Sequence, residues 1–301
     1  NSVMEVKMFE LNDEKKEQTV IFDKKYNYNE QMRKELINKT IYETSVSTSD
    51  KKKEITTQKV TKPLLKADFK EWNKIKTYED VIKNGIYYSY KLVFNNGNIE
   101  RQQEILEPYK ELLNYESKFL VKDFDITLKD LKFSDVDNKS LKTKLKDELS
   151  NGNWIYIYGA PRSGKSYCAI ALINGYARKG KDNLAFIDCE SYISKLSEYY
   201  FKYKNDFNEE MTKLKDANVL VLDGFGNEYV NDIIRDNIIL PLLSDRARNK
   251  KMTIFTSNLT LNDVTVLYSG KNGNNVKGKQ LKMILESMIK KELLSSNSNL
   301  Y

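Results

Sequence analysis

The chain reads as an α/β protein: a P-loop domain with a parallel sheet flanked by helices, plus a small, mainly α N-terminal domain. Three observations predict this. After about residue 122, short apolar runs alternate with longer amphipathic ones, the pattern of parallel strands joined by crossover helices. The glycine-rich run GAPRSGKS (159–166) lies directly between an apolar stretch and a helical one. The run VLVLD (219–223) is apolar up to a terminal carboxylate, as a strand covered on both faces should be.

Taken in order, strands are expected at 154–158, 184–188, 219–223 and 253–257, and helices at about 165–179, 190–204, 229–249 and 276–294. Pro241 predicts a kink in the third helix, because it removes one backbone donor and its ring crowds the preceding turn. Upstream, residues 1–62 are polar and lysine-rich, and SVSTSDKKKE (45–54) reads as a loop or linker. From Pro63, residues Trp72, Tyr78, Val81 and Ile82 recur at helical spacing, and Asn95, Asn96 and Gly97 mark a hairpin. The expected division is 1–120 for the N-terminal domain and linker and 121–301 for the α/β domain.

Composition removes several chemistries. The chain has 301 residues, 40% hydrophobic and 31% charged, and no apolar run approaches the roughly 20 residues that cross a bilayer. Asn1 to Glu10 lack the pattern of a secretory signal, so a cytoplasmic location is expected. Without any histidine, neither Ser-His-Asp chemistry nor histidine metal ligation is available. The two cysteines, Cys168 and Cys189, fall in a helical pattern and at a strand end, and a reducing cytosol would keep them as thiols. A net charge of +7 permits attraction to a polyanion without requiring it.

Gly159, Gly164, Lys165 and Ser166 fit the P-loop spacing G-x-x-x-x-G-K-[ST]. Glycines there let backbone N–H groups turn inward at a helix N-terminus, whose dipole also favours anions. The nucleotide-holding set is therefore Gly159, Ala160, Pro161, Arg162, Ser163, Gly164, Lys165, Ser166 and Tyr167. Lys165 would reach the β- and γ-phosphates of ATP, while the Ser166 hydroxyl and Asp223 would hold Mg²⁺. Asn258, at the end of the strand run TIFTSN (253–258), would orient a water near the γ-phosphate.

The order of these motifs resembles the AAA+ ATPases, and among them the bacterial replicative helicase loaders of the DnaC/DnaI type. Further runs that carry the likeness are FSDV (133–136), EEMTKLKDANVLVLDGFGNE (209–228), IIRDNIILPLLSDR (233–246) and TSNLT (256–260), with a weaker match through YKLVFNNGNIE (90–100). The resemblance implies that Asp223 is the Walker B ligand, Asn258 the sensor 1 residue and Arg246 the arginine reaching a neighbouring subunit's γ-phosphate, with Arg248 the alternative. It implies an ATPase that self-associates, contacts single-stranded DNA and places a hexameric replicative helicase on it, the N-terminal domain holding the helicase. Loaders of this type carry a zinc site there. Residues 1–167 contain neither Cys nor His, so no zinc is expected.

Two departures bear on turnover. The second Walker B acid is replaced by Gly224, and the sensor 2 arginine positions hold Gln280 and Ile284; Lys279 and Lys282 are the possible substitutes. ATP binding with slow hydrolysis is the expectation. A transposition-helper ATPase, a nucleotide-gated adaptor and a small-molecule kinase are the competing readings. The aromatics Tyr199, Tyr200 and Tyr203, beside Lys202 and Lys204, read as a helix packing face before a DNA contact.

Overall fold

The computed structural model describes residues 18–21, 40–49, 54–63, 77–84, 88–95, 98–136, 139–269 and 275–295. The chain divides into two compact units, Asn1–Asn114 and Tyr115–Tyr301.

Among its described residues the first unit carries a five-stranded sheet, which corrects the expectation of a mainly helical domain. Its five-stranded sheet has the order β1 (Gln18–Ile21), β4 (Tyr88–Asn95), β5 (Asn98–Ile105), β2 (Thr40–Ser49), β3 (Glu54–Pro63). The stretch read as a linker contributes Ser45–Ser49 to β2 and Glu54 to β3. The run TIYETSVSTS has three Thr with single Ile, Tyr and Val residues, types that suit a pleated ladder even where net hydrophobicity is low. Strands β4 and β5 pair antiparallel up to Asn95 opposite Asn98, as a hairpin there requires; Asn96 and Gly97, like Trp72, lie outside the described residues. Helix α1 (Tyr78–Asn84) starts on a reciprocal pair in which the Asp80 carboxylate accepts from the Thr77 N–H and the Thr77 hydroxyl accepts from the Asp80 N–H.

The second unit carries a six-stranded, wholly parallel sheet ordered β11 (Glu292–Leu294), β7 (Ile155–Tyr158), β10 (Met252–Ser257), β9 (Val219–Asp223), β8 (Leu184–Asp188), β6 (Phe119–Lys122). Alternate residues of the central strands go to opposite faces. Tyr156, Ile187, Leu222 and Phe255 join one core and Ile155, Phe186, Val221 and Ile254 the other. Both sets are fully buried, so the strands show no polar alternation, and each such side chain contributes about 1.5–3 kcal/mol on leaving water.

Helices cover both faces. Helix α2 (Lys139–Ser150) precedes β7, and α3 (Lys165–Arg178) follows it, packing Cys168, Ile170 and Ile173 into the core. The expected helix at 190–204 is α4 (Cys189–Lys202), and a separate helix α5 (Lys204–Asp216) leads into β9. The third expected helix has three consecutive stretches: α-helical Asp232–Ile234, π-helical Arg235–Ile239 and α-helical Leu240–Arg248. The wide π turn lies immediately before Pro241, where the ladder must do without a donor. The last expected helix is corrected at its end. Helix α6 covers Val276–Met288, after which the chain extends and adds β11 beside β7. Among the described residues no helix is long and apolar enough to cross a membrane. Cys168 and Cys189 are both buried and free.

Candidate nucleotide site

The carboxyl ends of β7, β10, β9 and β8 lie along one edge of the sheet, where ligands of open α/β folds bind. The P-loop leaves β7 at Gly159, whose N–H donates to the Ser257 carbonyl at the end of β10 (3.2 Å). It ends on Gly164, which is left-handed (φ +85°) and opens α3. Arg162 also has positive φ, +62°. Lys165, 8% exposed, donates from Nζ to the carbonyls of Ala160 (2.7 Å) and Gly159 (3.0 Å). Its ammonium is thereby held over the loop. Burial lowers its pKa, an effect that the charge of Asp223 opposes.

Asp223 ends β9 opposite Asp188 of β8. Its Oδ1 accepts from Ser166 Oγ (2.8 Å) and from Thr256 Oγ1 (2.5 Å), and Thr256 Oγ1 accepts in turn from the Gly224 N–H (2.9 Å). Residues 57 positions apart in the chain are thus joined at one carboxylate. Burial raises the Asp223 pKa above the ordinary carboxylate value, and Asp188 adds to the rise.

The sign of that shift gives a stability prediction. A carboxyl with a raised folded pKa opposes folding least when protonated, and its penalty grows as pH rises through that pKa. Asp223→Asn, which keeps an acceptor for Ser166 and Thr256, is therefore expected to unfold at higher temperature than the natural chain at neutral pH while losing Mg²⁺-dependent nucleotide affinity. Melting curves at neutral and mildly acidic pH check this. The gap between the two proteins should close on the acid side.

The loop suits a phosphate group. Ser163 is 5% exposed and its Oγ has no hydrogen-bond partner, so a phosphate oxygen at the α3 N-terminus would give this buried hydroxyl an acceptor. Tyr167, next along α3, is 44% exposed.

Gly224 follows Asp223 with φ +73°, and a Cβ there would meet the Asn227 side-chain nitrogen at 3.0 Å. The position is left-handed and its side-chain space is already occupied, so the glycine serves the backbone. Glu228 does not replace the missing acid. It is 4% exposed, accepts from the Gly226 N–H (2.7 Å) and from the Tyr268 hydroxyl, and is held in the core. Asn258 is exposed beyond the end of β10, its amide donating to Asn227 Oδ1 (3.2 Å).

The finger assignment to Arg246 is corrected. Its side chain has no exposure, and its guanidinium donates to Thr253 Oγ1 (2.9 Å) and to the carbonyls of Leu214 (2.9 Å), Ala217 (2.7 Å) and Met252. It ties α5 and the helix ending at Arg248 to β10, and has no path to a neighbouring subunit. Arg248, two residues on, is exposed. In α6, Gln280 and Lys279 are exposed, and Lys282 pairs with Glu286 at 3.6 Å. Of the tyrosine cluster, Tyr199 and Tyr200 pack against the core, while Tyr203 is half exposed.

Of the residues at this site, Thr256 carries no role in the sequence reading, and Ser163 appears there only as one member of the loop. Thr256 was visible in principle, since a hydroxyl near the end of β10, beside β9, lies level with Asp223.

Comparison with known proteins decides the family. The model of the IstB-like ATP binding protein matches residues 71–272, more than half of the chain. The chain belongs to that family. It is 28% identical over 119 residues to the replicative helicase loader DnaI of Bacillus subtilis (strain 168), a match covering 38% of this chain and 36%, about a third, of that relative. A crystal structure of DnaI superposes with a TM-score of 0.52 at 20% identity, covering 60% of this chain and all of that one. A crystal structure of the DnaC helicase loader gives a TM-score of 0.46 at 21% identity, over 57% of this chain and all of the other. The parallel sheet and P-loop of this IstB-like ATP-binding chain thus have the AAA+ fold.

Proposed function

We propose that the chain is an ATP-dependent loader of a replicative DNA helicase onto single-stranded DNA, acting in the cytoplasm. The observation that carries the nucleotide half is the Ser166–Asp223 hydrogen bond, which sets a P-loop hydroxyl against a strand-end carboxylate, the two groups that would hold Mg²⁺. Mg²⁺ would neutralise phosphate charge there. Lys165 would exchange its two loop carbonyls for phosphate oxygens, the loop N–H groups would cradle the remainder, and Asn258 would orient a water near the γ-phosphate. The identity to the Bacillus subtilis loader supports the helicase half.

Self-association through this domain would place Arg248, exposed in the last turn of its helix, toward a neighbouring subunit. The N-terminal domain and linker, 1–120, would hold the helicase without zinc, and 121–301 would form the ATPase domain.

A second reading, a nucleotide-gated adaptor, is favoured by Gly224. With no carboxylate at 224 and Glu228 turned into the core, no side chain of the loop takes the proton of an attacking water. The loss of such a base lowers turnover by about 10²- to 10⁴-fold.

The test is complex formation between the full chain and the replicative helicase of the same organism, together with phosphate release with and without single-stranded DNA. A nucleotide-dependent complex with slow release supports the loader. Absence of a complex, with binding to duplex DNA and a transposase instead, replaces it by the transposition-helper reading.

A further inference from the structure

Strand β11 lies parallel to β7 with Glu292, Leu293 and Leu294 opposite Tyr156, Ile157 and Tyr158. Ser295, the next residue, therefore comes level with the start of the P-loop. It makes three close approaches. Its N–H donates to the Tyr158 carbonyl (2.8 Å). Its hydroxyl donates to the Ser163 carbonyl (2.5 Å), a residue 132 positions away. Its own carbonyl lies 2.4 Å from where a Cβ on Gly159 would stand. Ser295 is 4% exposed, so water offers its hydroxyl little competition.

The second contact has a geometric consequence. A planar trans peptide places its C=O and N–H on opposite sides. Holding the Ser163 carbonyl toward β11 turns the Gly164 N–H away from β11, at the residue that opens α3. Amides at such a helix start are those that an anion uses.

We propose that Ser295 is a positioning residue for nucleotide binding: from the far end of the chain, its hydroxyl fixes the peptide plane that aims the Gly164 N–H for phosphate. The inference rests on the reading of the P-loop as the phosphate site. It adds a functional position that lies outside the P-loop motif and beyond the sensor 2 helix.

The experiment titrates a fluorescent ADP into the full chain and into Ser295→Ala, Ser295→Thr, Leu293→Ala and Lys165→Ala, with a melting curve of each in the absence of nucleotide. Loss of one aligned hydrogen bond on a buried carbonyl is expected to weaken ADP about 10-fold in Ser295→Ala, while Ser295→Thr stays within about 3-fold of the natural chain. Leu293 is buried in the same strand but touches the core. Leu293→Ala should lower the melting temperature and leave ADP affinity near that of the natural chain. Unchanged affinity in Ser295→Ala overturns the proposal, and so does an equal loss in Leu293→Ala. Equal ADP binding by the natural chain and Lys165→Ala would instead overturn the phosphate-site reading. If Ser295→Ala does not fold, Ser295→Cys, which keeps the shape and weakens the donor, is judged by the same comparison.

Discussion

Arg246→Ala is expected to destabilise the second unit by about 3–5 kcal/mol, through the cavity left by a large side chain and the stranding of its acceptors. Four acceptors lose their donor: Thr253 Oγ1 and the carbonyls of Leu214, Ala217 and Met252. At about 2–4 °C per kcal/mol for a domain of this size, the melting temperature should fall by roughly 10 °C. Arg248→Ala removes an exposed side chain and is expected to stay within about 0.5 kcal/mol of the natural protein. Melting curves of the two variants separate an arginine that builds the fold from one free to act on a neighbour. An Arg246→Ala protein as stable as the natural chain would contradict the structural role given to this guanidinium.

Gly159→Ala should have the largest effect on the site itself. The residue has φ +153°, and a Cβ would lie 2.4 Å from a backbone oxygen of Ser295 and 3.1 Å from the Ser163 hydroxyl. Neither the strand nor the loop gives way cheaply. Backbone strain of this kind costs on the order of 1–3 kcal/mol, so nucleotide affinity is expected to fall about 10- to 100-fold as the loop shifts. A titration with ADP, set beside a melting curve, measures both parts.

What could be read from the sequence followed from how local each feature is. The strands Leu184–Asp188 and Val219–Asp223 were legible to the residue because a parallel strand buried on both faces must be a continuous apolar run. The P-loop was legible because its working parts are contiguous. Strands β6 and β11 were not, having four and three residues. The segment ELL in β11 reads as the tail of a helix, and only pairing with β7 makes it extended.

Arg246 shows the same limit within the site. An arginine near a helix end looks like a surface cation, and its burial follows from carbonyls contributed by α5 and β10. Ser295 carries no motif at all. The N-terminal unit was misread because β2 and β3 draw on Thr, Ser and Lys in place of a strong apolar alternation, so composition suggested a loop where the two pair over ten residues each.

The measurement that bears most directly on the account is equilibrium binding of a labelled ATP to the full chain and to Lys165→Ala, each with and without Mg²⁺. The predicted result is saturable binding by the natural chain, strengthened by Mg²⁺ through Ser166 and Asp223, and a loss of at least about 100-fold in Lys165→Ala, where a buried charge-assisted contact to phosphate is removed. Absence of ATP binding by a folded natural chain, or equal affinity in the two proteins, would contradict it.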